Sequence, residues 1–218
     1  MKKLSIVVLI SGNGSNLQSI IDAVEAEQVN GQITAVISNK ADAYGLQRAK
    51  NHNIDQQVVG HKDFSSREDF DQALSKKLTR LNPDIIVLAG FMRILGSALI
   101  QAFERKILNI HPSILPNYKG LNTFQRAIDN KEREHGVSIH IVTPELDDGP
   151  VIVRGRYPIL NGDTVSELQR KGHRLEHRMY PQVLRWLGRG DLQINADTIT
   201  FQDKLLERPI EFEDKETP

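Results

Sequence analysis

Short apolar runs and amphipathic stretches alternate through the first half of this chain, and that rhythm fixes the class of fold. "LSIVVLI" is apolar and rich in β-branched residues, the mark of a strand buried on both faces. "SGNGSN" breaks the run. "LQSIIDAVEAE" then puts Leu17, Ile20, Ile21 and Val24 on one helical face. The pattern repeats: a strand at "QITAVIS", a short helix at "YGLQRAKNH", a weaker strand at "DQQVV". Ser65 and Glu68 have the spacing of a capping box opening the helix "REDFDQALSKKLTRL". "DIIVLAG" and "ILNI" read as the fourth and fifth strands. Strands alternating with helices imply βαβ units and a mostly parallel sheet. Right-handed crossovers then give a doubly wound, Rossmann-like α/β fold with helices on both faces.

After residue 120 the rhythm changes. "TFQRAIDN" reads as a short helix. "GVSIHIVT" alternates, with Val137, Ile139 and Ile141 on one face, and "PVIVRGRYPI" pairs with it across the loop "PELDDG". "VSELQRKGHRLEHRMYPQVLRWLG" is a long amphipathic helix, and "LQI" with "TITF" forms a small hairpin. With no repeat and no linker, residues 1–205 are expected to form one domain. The charged, Pro-flanked segment from 206 to 218 is expected to be a mobile tail.

Lys plus Arg number 28 and Asp plus Glu number 28, so the formal net charge is zero. That balance argues against broad electrostatic binding to nucleic acid or to an anionic membrane. The absence of cysteine removes disulfides, thiolate metal sites and cysteine nucleophiles. The start, "MKKLSIVVLISG", has the two lysines of a signal peptide. Its apolar run is short, no small-residue cleavage site follows, and a first strand fits better. No stretch approaches a membrane span. These features point to a cytoplasmic protein.

In open α/β sheets, ligands bind beyond the carboxyl ends of the strands. "SGNGSN", "AGFMRIL" and "NIHPS" all lie at such ends. In the first, Gly12 and Gly14 allow close backbone approach, and Ser15 and Asn16 open a helix, which together suit a phosphate. The loop has neither the third glycine of a dinucleotide fingerprint nor the Gly-Lys-Ser/Thr of a Walker loop, and a plain turn with an N-cap remains the alternative. In "NIHPS", residues two apart point the same way, so Asn109 and His111 share a side. An amide that donates to an oxyanion and an imidazole that moves a proton suit nucleophilic addition to a carbonyl. The alternative is a structural histidine satisfied by a backbone partner. Asp147 and Asp148 lie in a turn-forming loop. A carboxylate there that pairs with His111 would favour the imidazolium and fix its orientation. "HRLEH" matches an inverted zinc-peptidase motif, with His173 and His177 one turn apart, but no third ligand is evident and no metal is expected.

Taken together, "VVLISGNGSNLQSII", "ISNKADAYGLQRA", "VLAGFMRIL", "LNIHPSILP", "HGVSIHIVTPELDDGPVI" and "EHRMYPQVL" closely resemble the glycinamide ribonucleotide formyltransferase family, of the small monofunctional kind. The resemblance runs from about residue 4 to about residue 200, in family order. It implies formyl transfer from 10-formyltetrahydrofolate, a co-substrate, to the amine of glycinamide ribonucleotide in purine biosynthesis. Direct attack through a tetrahedral intermediate is implied, with neither a metal nor a covalent enzyme intermediate. It implies catalytic roles for Asn109, His111 and Asp147. It places the ribonucleotide on Gly14, Ser15, Asn16, His173 and Glu176. It places the folate on Arg67, on Met92, Arg93, Ile94 and Leu95, on Asn109, and on Thr143, Pro144, Glu145, Leu146 and Asp147. On this reading the N-terminal half of the domain binds the ribonucleotide, and the C-terminal half binds folate and carries the catalytic loop. The partners are small molecules, and the chain works as a monomer or homodimer.

Two departures from the family pattern stand out. "GLNTFQ" has Asn122 and Phe124 where the family has histidines, and Asp148 replaces the first of two glycines. Other formyl-folate enzymes of the same fold, a formyltetrahydrofolate hydrolase or a methionyl-tRNA formyltransferase, share the Asn, His and Asp logic. The first normally adds an N-terminal regulatory domain and the second a basic C-terminal one. A non-catalytic folate-binding protein is the rival from another class, invited only by "GLNTFQ".

Overall fold

The computed structural model describes residues 2–213. Its elements run β1 (Leu4–Ile10), α1 (Ser15–Glu25), β2 (Gly31–Ser38), α2 (Tyr44–Asn51), β3 (Gln56–Val58), α3 (Arg67–Leu81), β4 (Ile85–Leu88) and α4 (Ser97–Ala102). Then come β5 (Ile107–His111), α5 (Thr123–Asp129), β6 (Glu134–Ile141), β7 (Val151–Pro158) and α6 (Val165–Arg189). Four short strands close the described chain: β8 (Leu192–Ile194), β9 (Ile199–Phe201), β10 (Lys204–Leu205) and β11 (Ile210–Phe212).

An eight-stranded sheet has the order β11-β7-β6-β5-β4-β1-β2-β3. Only β6 runs against the others: it pairs antiparallel with β5 and β7, and every other pairing is parallel. Strands β1 to β5 are the doubly wound part, with β4 and β2 on opposite sides of β1. Their crossovers leave in opposite directions, which opens a crevice at the carboxyl ends of β1 and β4.

The apolar runs are buried on both faces, as their composition requires. Along β1, Ile6, Val8 and Ile10 pack with α1, α2 and α6, while Val7 and Leu9 pack with α3 and α4. In β4, Ile85 and Val87 join the first layer and Ile86 and Leu88 the second. Helix α6 spans the back of the site, and the Tyr180 hydroxyl donates to the Leu88 carbonyl at 2.7 Å. That bond satisfies a phenol with no solvent exposure.

Two expectations from the sequence differ from the structure. The cap of α3 is Ser66, whose hydroxyl accepts from the Asp69 amide at 3.1 Å, so the motif sits one residue later than the Ser65–Glu68 pair. A complete capping box opens α6 instead, between Thr164 and Glu167. The fold also continues past residue 205. Strand β11 pairs in parallel with β7, and Glu211 accepts from Arg156 Nε at 3.1 Å. The rest of the expected tail, residues 214–218, lies outside the described residues.

Candidate active site

Asn109 and His111 lie on one side of β5, while Leu108 and Ile110 face the α6 layer. Their partners in β6 are His140, opposite Asn109, and Ser138, opposite His111. The β6–β7 connection folds back over this pair of strands. It brings Asp147 Oδ2 to 3.4 Å from His111 Nδ1, and Oδ1 to 3.7 Å from His140 Nε2. Asp147 has a left-handed φ of 50° and is pinned by the Gly120 amide, which donates to it at 2.9 Å. The loop needs Gly149: a Cβ there would lie 1.9 Å from the Ile141 carbonyl oxygen.

The other nitrogen of His111, Nε2, donates to the Tyr118 carbonyl at 2.9 Å. Both ring nitrogens therefore face acceptors. A ring protonated on both satisfies both, and a neutral ring satisfies one. His111 is 6% exposed and His140 only 2%. Burial pushes the His140 pKa down, while its bond to the Ile141 carbonyl and the nearby Asp147 carboxylate oppose the shift. His140 is the functional neighbour that the sequence reading missed. Its strand was read by its apolar face, yet Ser138 and His140 on the other face are also buried.

The "SGNGSN" loop joins β1 to α1, as the sequence suggested. Gly14 has φ 75° and precedes α1, whose N-terminus has no side-chain cap. Close packing also demands this glycine, because a Cβ would meet the Gly45 backbone at 2.8 Å. Ser15 and Asn16 follow in the first turn. The Asn16 amide nitrogen donates to Glu176 Oε2 at 2.8 Å, tying α1 to α6 across the crevice. Burial pushes the Glu176 pKa up, opposed by that bond and by His173. Glu176 and His173 thus stand on the part of α6 nearest the loop.

Apart from Arg67 on α3 and Asn109 itself, the residues assigned to folate form two loops, one after β4 and one after β6. Met92 and Ile94 are 69% and 58% exposed, and Leu146, across the site, is 53% exposed. Pro144 and Glu145 are exposed, and the Thr143 hydroxyl turns toward the Glu145 carbonyl at 3.4 Å. Leu95 is buried in the core, and the Arg93 guanidinium lies over the Phe70 ring. Arg67 is already engaged: its Nη2 donates to the Leu95 carbonyl at 2.6 Å. Asp71, one turn on, accepts from the Gly96 amide at 2.7 Å. The Met92 amide donates to Ser11 Oγ at 2.7 Å, and Ser11 donates to Asn39 at 2.6 Å. Exposed apolar side chains over a fixed, backbone-rich loop suit a flat heterocycle with hydrogen-bonding edges.

Both departures from the family pattern have a structural place. Phe124 packs edge-on to His135 with ring centroids 5.4 Å apart, and His135 Nε2 donates to the Pro112 carbonyl at 2.9 Å. Asn122 takes the left-handed N-cap position of α5, and Asp148 forms an ion pair with Lys119. Among the described residues, no group of three His, Asp or Glu is placed to hold a metal.

Comparison with known proteins gives the family. The formyl transferase family model matches residues 4–184. The chain belongs to the formyl transferase family. Within it, the phosphoribosylglycinamide formyltransferase of Escherichia coli K12 is 46% identical over 194 residues, which cover 89% of this chain and 92% of that protein. The Haemophilus influenzae protein of the same name is 46% identical, with 93% of this chain and 94% of its own length covered. The solved phosphoribosylglycinamide formyltransferase of Coxiella burnetii superposes with a TM-score of 0.91 at 46% identity, covering 97% of this chain and all of that one. The mostly parallel α/β sheet is therefore the family's fold, and this formyltransferase chain matches these relatives over nearly their whole length.

Proposed function

We propose that this chain transfers the formyl group of 10-formyltetrahydrofolate to the amine of glycinamide ribonucleotide, as a cytoplasmic step of purine biosynthesis, with no metal. Its full-length relatives carry that acceptor in their names. The observation that carries the mechanism is the meeting of Asn109, His111 and Asp147 at the end of β5, with 3.4 Å between the imidazole and the carboxylate.

The folate supplies the formyl carbon. Gly14, Ser15 and Asn16 hold the ribonucleotide phosphate at the positive end of α1, and His173 and Glu176 contact the ribonucleotide from α6. Met92, Arg93, Ile94 and Leu95 receive the pterin on one side. Thr143, Pro144, Glu145, Leu146 and Asp147 close on the other, and Arg67 holds the first loop in place. As the amine attacks, the carbonyl electron pair moves to oxygen. Asn109 Nδ2, with one proton engaged by His140, offers the other to that oxygen. His111 Nε2, released from the Tyr118 carbonyl, gives its proton to the departing folate nitrogen and takes one from the attacking amine, so protons balance. Asp147 holds the ring in orientation throughout.

The test is a formyl-transfer assay with purified protein, with and without glycinamide ribonucleotide, and with chelator in parallel. Transfer should need the ribonucleotide, survive chelation and vanish in His111→Ala. Donor turnover without acceptor would establish a hydrolase instead. Ribonucleotide binding without turnover would establish a binding protein.

A further inference from the structure

The loop after β4 does not hold its own backbone. The Ala89 amide donates to the Leu9 carbonyl at 2.9 Å, and beyond it residues 90–95 make no main-chain to main-chain hydrogen bond among the described residues. Three side chains hold that main chain instead. Arg67 donates to the Leu95 carbonyl at 2.6 Å, and Asp71 accepts from the Gly96 amide at 2.7 Å, which fixes the end that leads into α4. Ser11 holds the middle, its Oγ accepting from the Met92 amide at 2.7 Å. An amide only donates, so the Ser11 hydroxyl keeps its own proton for another acceptor. That acceptor is Asn39 Oδ1, at 2.6 Å, and Asn39 Nδ2 in turn lies 3.2 Å from His61 Nδ1. Ser11 and Asn39 are both buried.

We propose that Ser11 and Asn39 are positioning residues for the folate donor: through the Met92 amide they set the loop after β4 in its binding conformation. This rests on the folate assignment made above.

The topology gives these two residues their reach. Ser11 follows β1, Asn39 follows β2 and Met92 follows β4, and those three strands are neighbours in the order β4-β1-β2. The hydrogen-bond chain therefore runs across the crevice at their carboxyl ends. Ser11 also opens the "SGNGSN" loop, but that loop is fastened from α2. The Gly12 carbonyl accepts from the Gly45 amide at 3.0 Å, and Arg48 Nε donates to the Asn13 carbonyl at 2.9 Å. The Ser11 hydroxyl is thus committed to the folate side of the crevice. The position of the loop matters because Leu88, at its root, is in register with Asn109. A loop without its anchor has to be ordered by the ligand, which weakens binding of that ligand. It would also carry the formyl carbon away from the Asn109 amide.

The experiment compares Ser11→Ala, which removes both bonds, with Asn39→Ala, which leaves the Ser11 oxygen for the Met92 amide. Steady-state kinetics with 10-formyltetrahydrofolate should show the donor KM rising about tenfold in Ser11→Ala and about threefold in Asn39→Ala. The kcat at saturating donor should change less than KM. The dissociation constant of glycinamide ribonucleotide, measured calorimetrically without folate, should stay at the wild-type value. Amide hydrogen exchange gives a readout that needs no ligand: Met92 should exchange faster in Ser11→Ala while Ile86 and Val87 keep their protection, which also reports an intact fold. Asn39→Ala decides the matter by its kinetics where Ser11→Ala does not fold. An unchanged donor KM in the folded variants would overturn the inference, as would unchanged exchange at Met92. Donor and ribonucleotide constants rising by the same factor would also overturn it, since that marks a general loosening. A wild type that binds ribonucleotide but no formyl-folate donor would overturn the folate assignment itself, and the inference with it.

Discussion

Asn109 Nδ2 lies 3.1 Å from His140 Nε2, and His140 Nδ1 lies 3.0 Å from the Ile141 carbonyl oxygen. A carbonyl only accepts, so Nδ1 carries the proton and Nε2 presents a lone pair. The buried ring thereby decides which end of the Asn109 amide faces it and which proton remains for the substrate. His140→Phe keeps the bulk and removes the acceptor. Turnover should fall about tenfold or more, short of the roughly 100-fold or greater loss expected for Asn109→Ala. Single-turnover kinetics on both variants check the ranking. Equal rates in wild type and His140→Phe would remove His140 from the mechanism.

The Asp147 loop gives a backbone prediction. Gly149→Ala would put a methyl 1.9 Å from the Ile141 carbonyl oxygen, so the loop has to lift from the end of β6. Asp147 would then move away from His111. Formyl transfer should drop by an order of magnitude or more. Thermal stability should fall by only about 1–3 kcal/mol, the range for local overpacking. A steady-state assay paired with a melting curve separates the two effects.

Asp71 allows a stability test at the other side of the site. Burial pushes its pKa up, while the Gly96 amide and Arg67 oppose the shift. A raised carboxyl pKa means that the folded state holds its proton longer than the unfolded chain does, so ionisation at higher pH opposes folding. Asp71→Asn keeps an oxygen for the Gly96 amide and removes that charge. Its melting temperature at about pH 8 should equal or exceed the wild type's. Asp71→Ala strands the Gly96 N–H and should lower stability by about 1–3 kcal/mol.

The buried histidines set a pH limit. Burial pushes His135 and His140 below their ordinary value of 6.5. Below about pH 6.5 the unfolded chain takes up protons that these folded rings refuse, so stability rises with pH in this window. The stabilisation is full above about pH 6.5 and is lost as pH falls through the lower folded values. Melting temperature should therefore fall between about pH 7 and 5. His135→Phe should show a shallower fall from a lower starting point, because the Pro112 carbonyl loses its donor. Parallel slopes in the two proteins would show that His135 does not titrate in this range.

Much of the fold was legible because the signals were long or doubly buried. Runs such as Leu4–Ile10 and Ile85–Leu88 declare central strands by composition, and the Asn109–His111 spacing declares a shared face. The α4 helix, Ser97–Ala102, is too short to show a period and forms where Leu99 and Ile100 can reach the second core layer. Strand β11 has a two-residue period in Ile210 and Phe212, hidden by flanking charges. What holds it is parallel pairing with β7 and the packing of Ile210 and Phe212 on the core, with Glu211 bonded to Arg156, all far away in sequence. His140 was illegible for the converse reason: alternation marks one face as apolar, but only the tertiary fold shows that the polar face is buried too.

The place of β1 between β4 and β2 bears on how the chain is made. This strand is synthesised early, and its edge toward β4 stays open until residues 85–88 have emerged from the ribosome. Until then an apolar strand presents unpaired amides and carbonyls to whatever else is in reach. A chain stalled or cleaved before Ile85 is therefore the form that should aggregate or recruit chaperones, whereas one that has passed Leu88 already encloses its first strand.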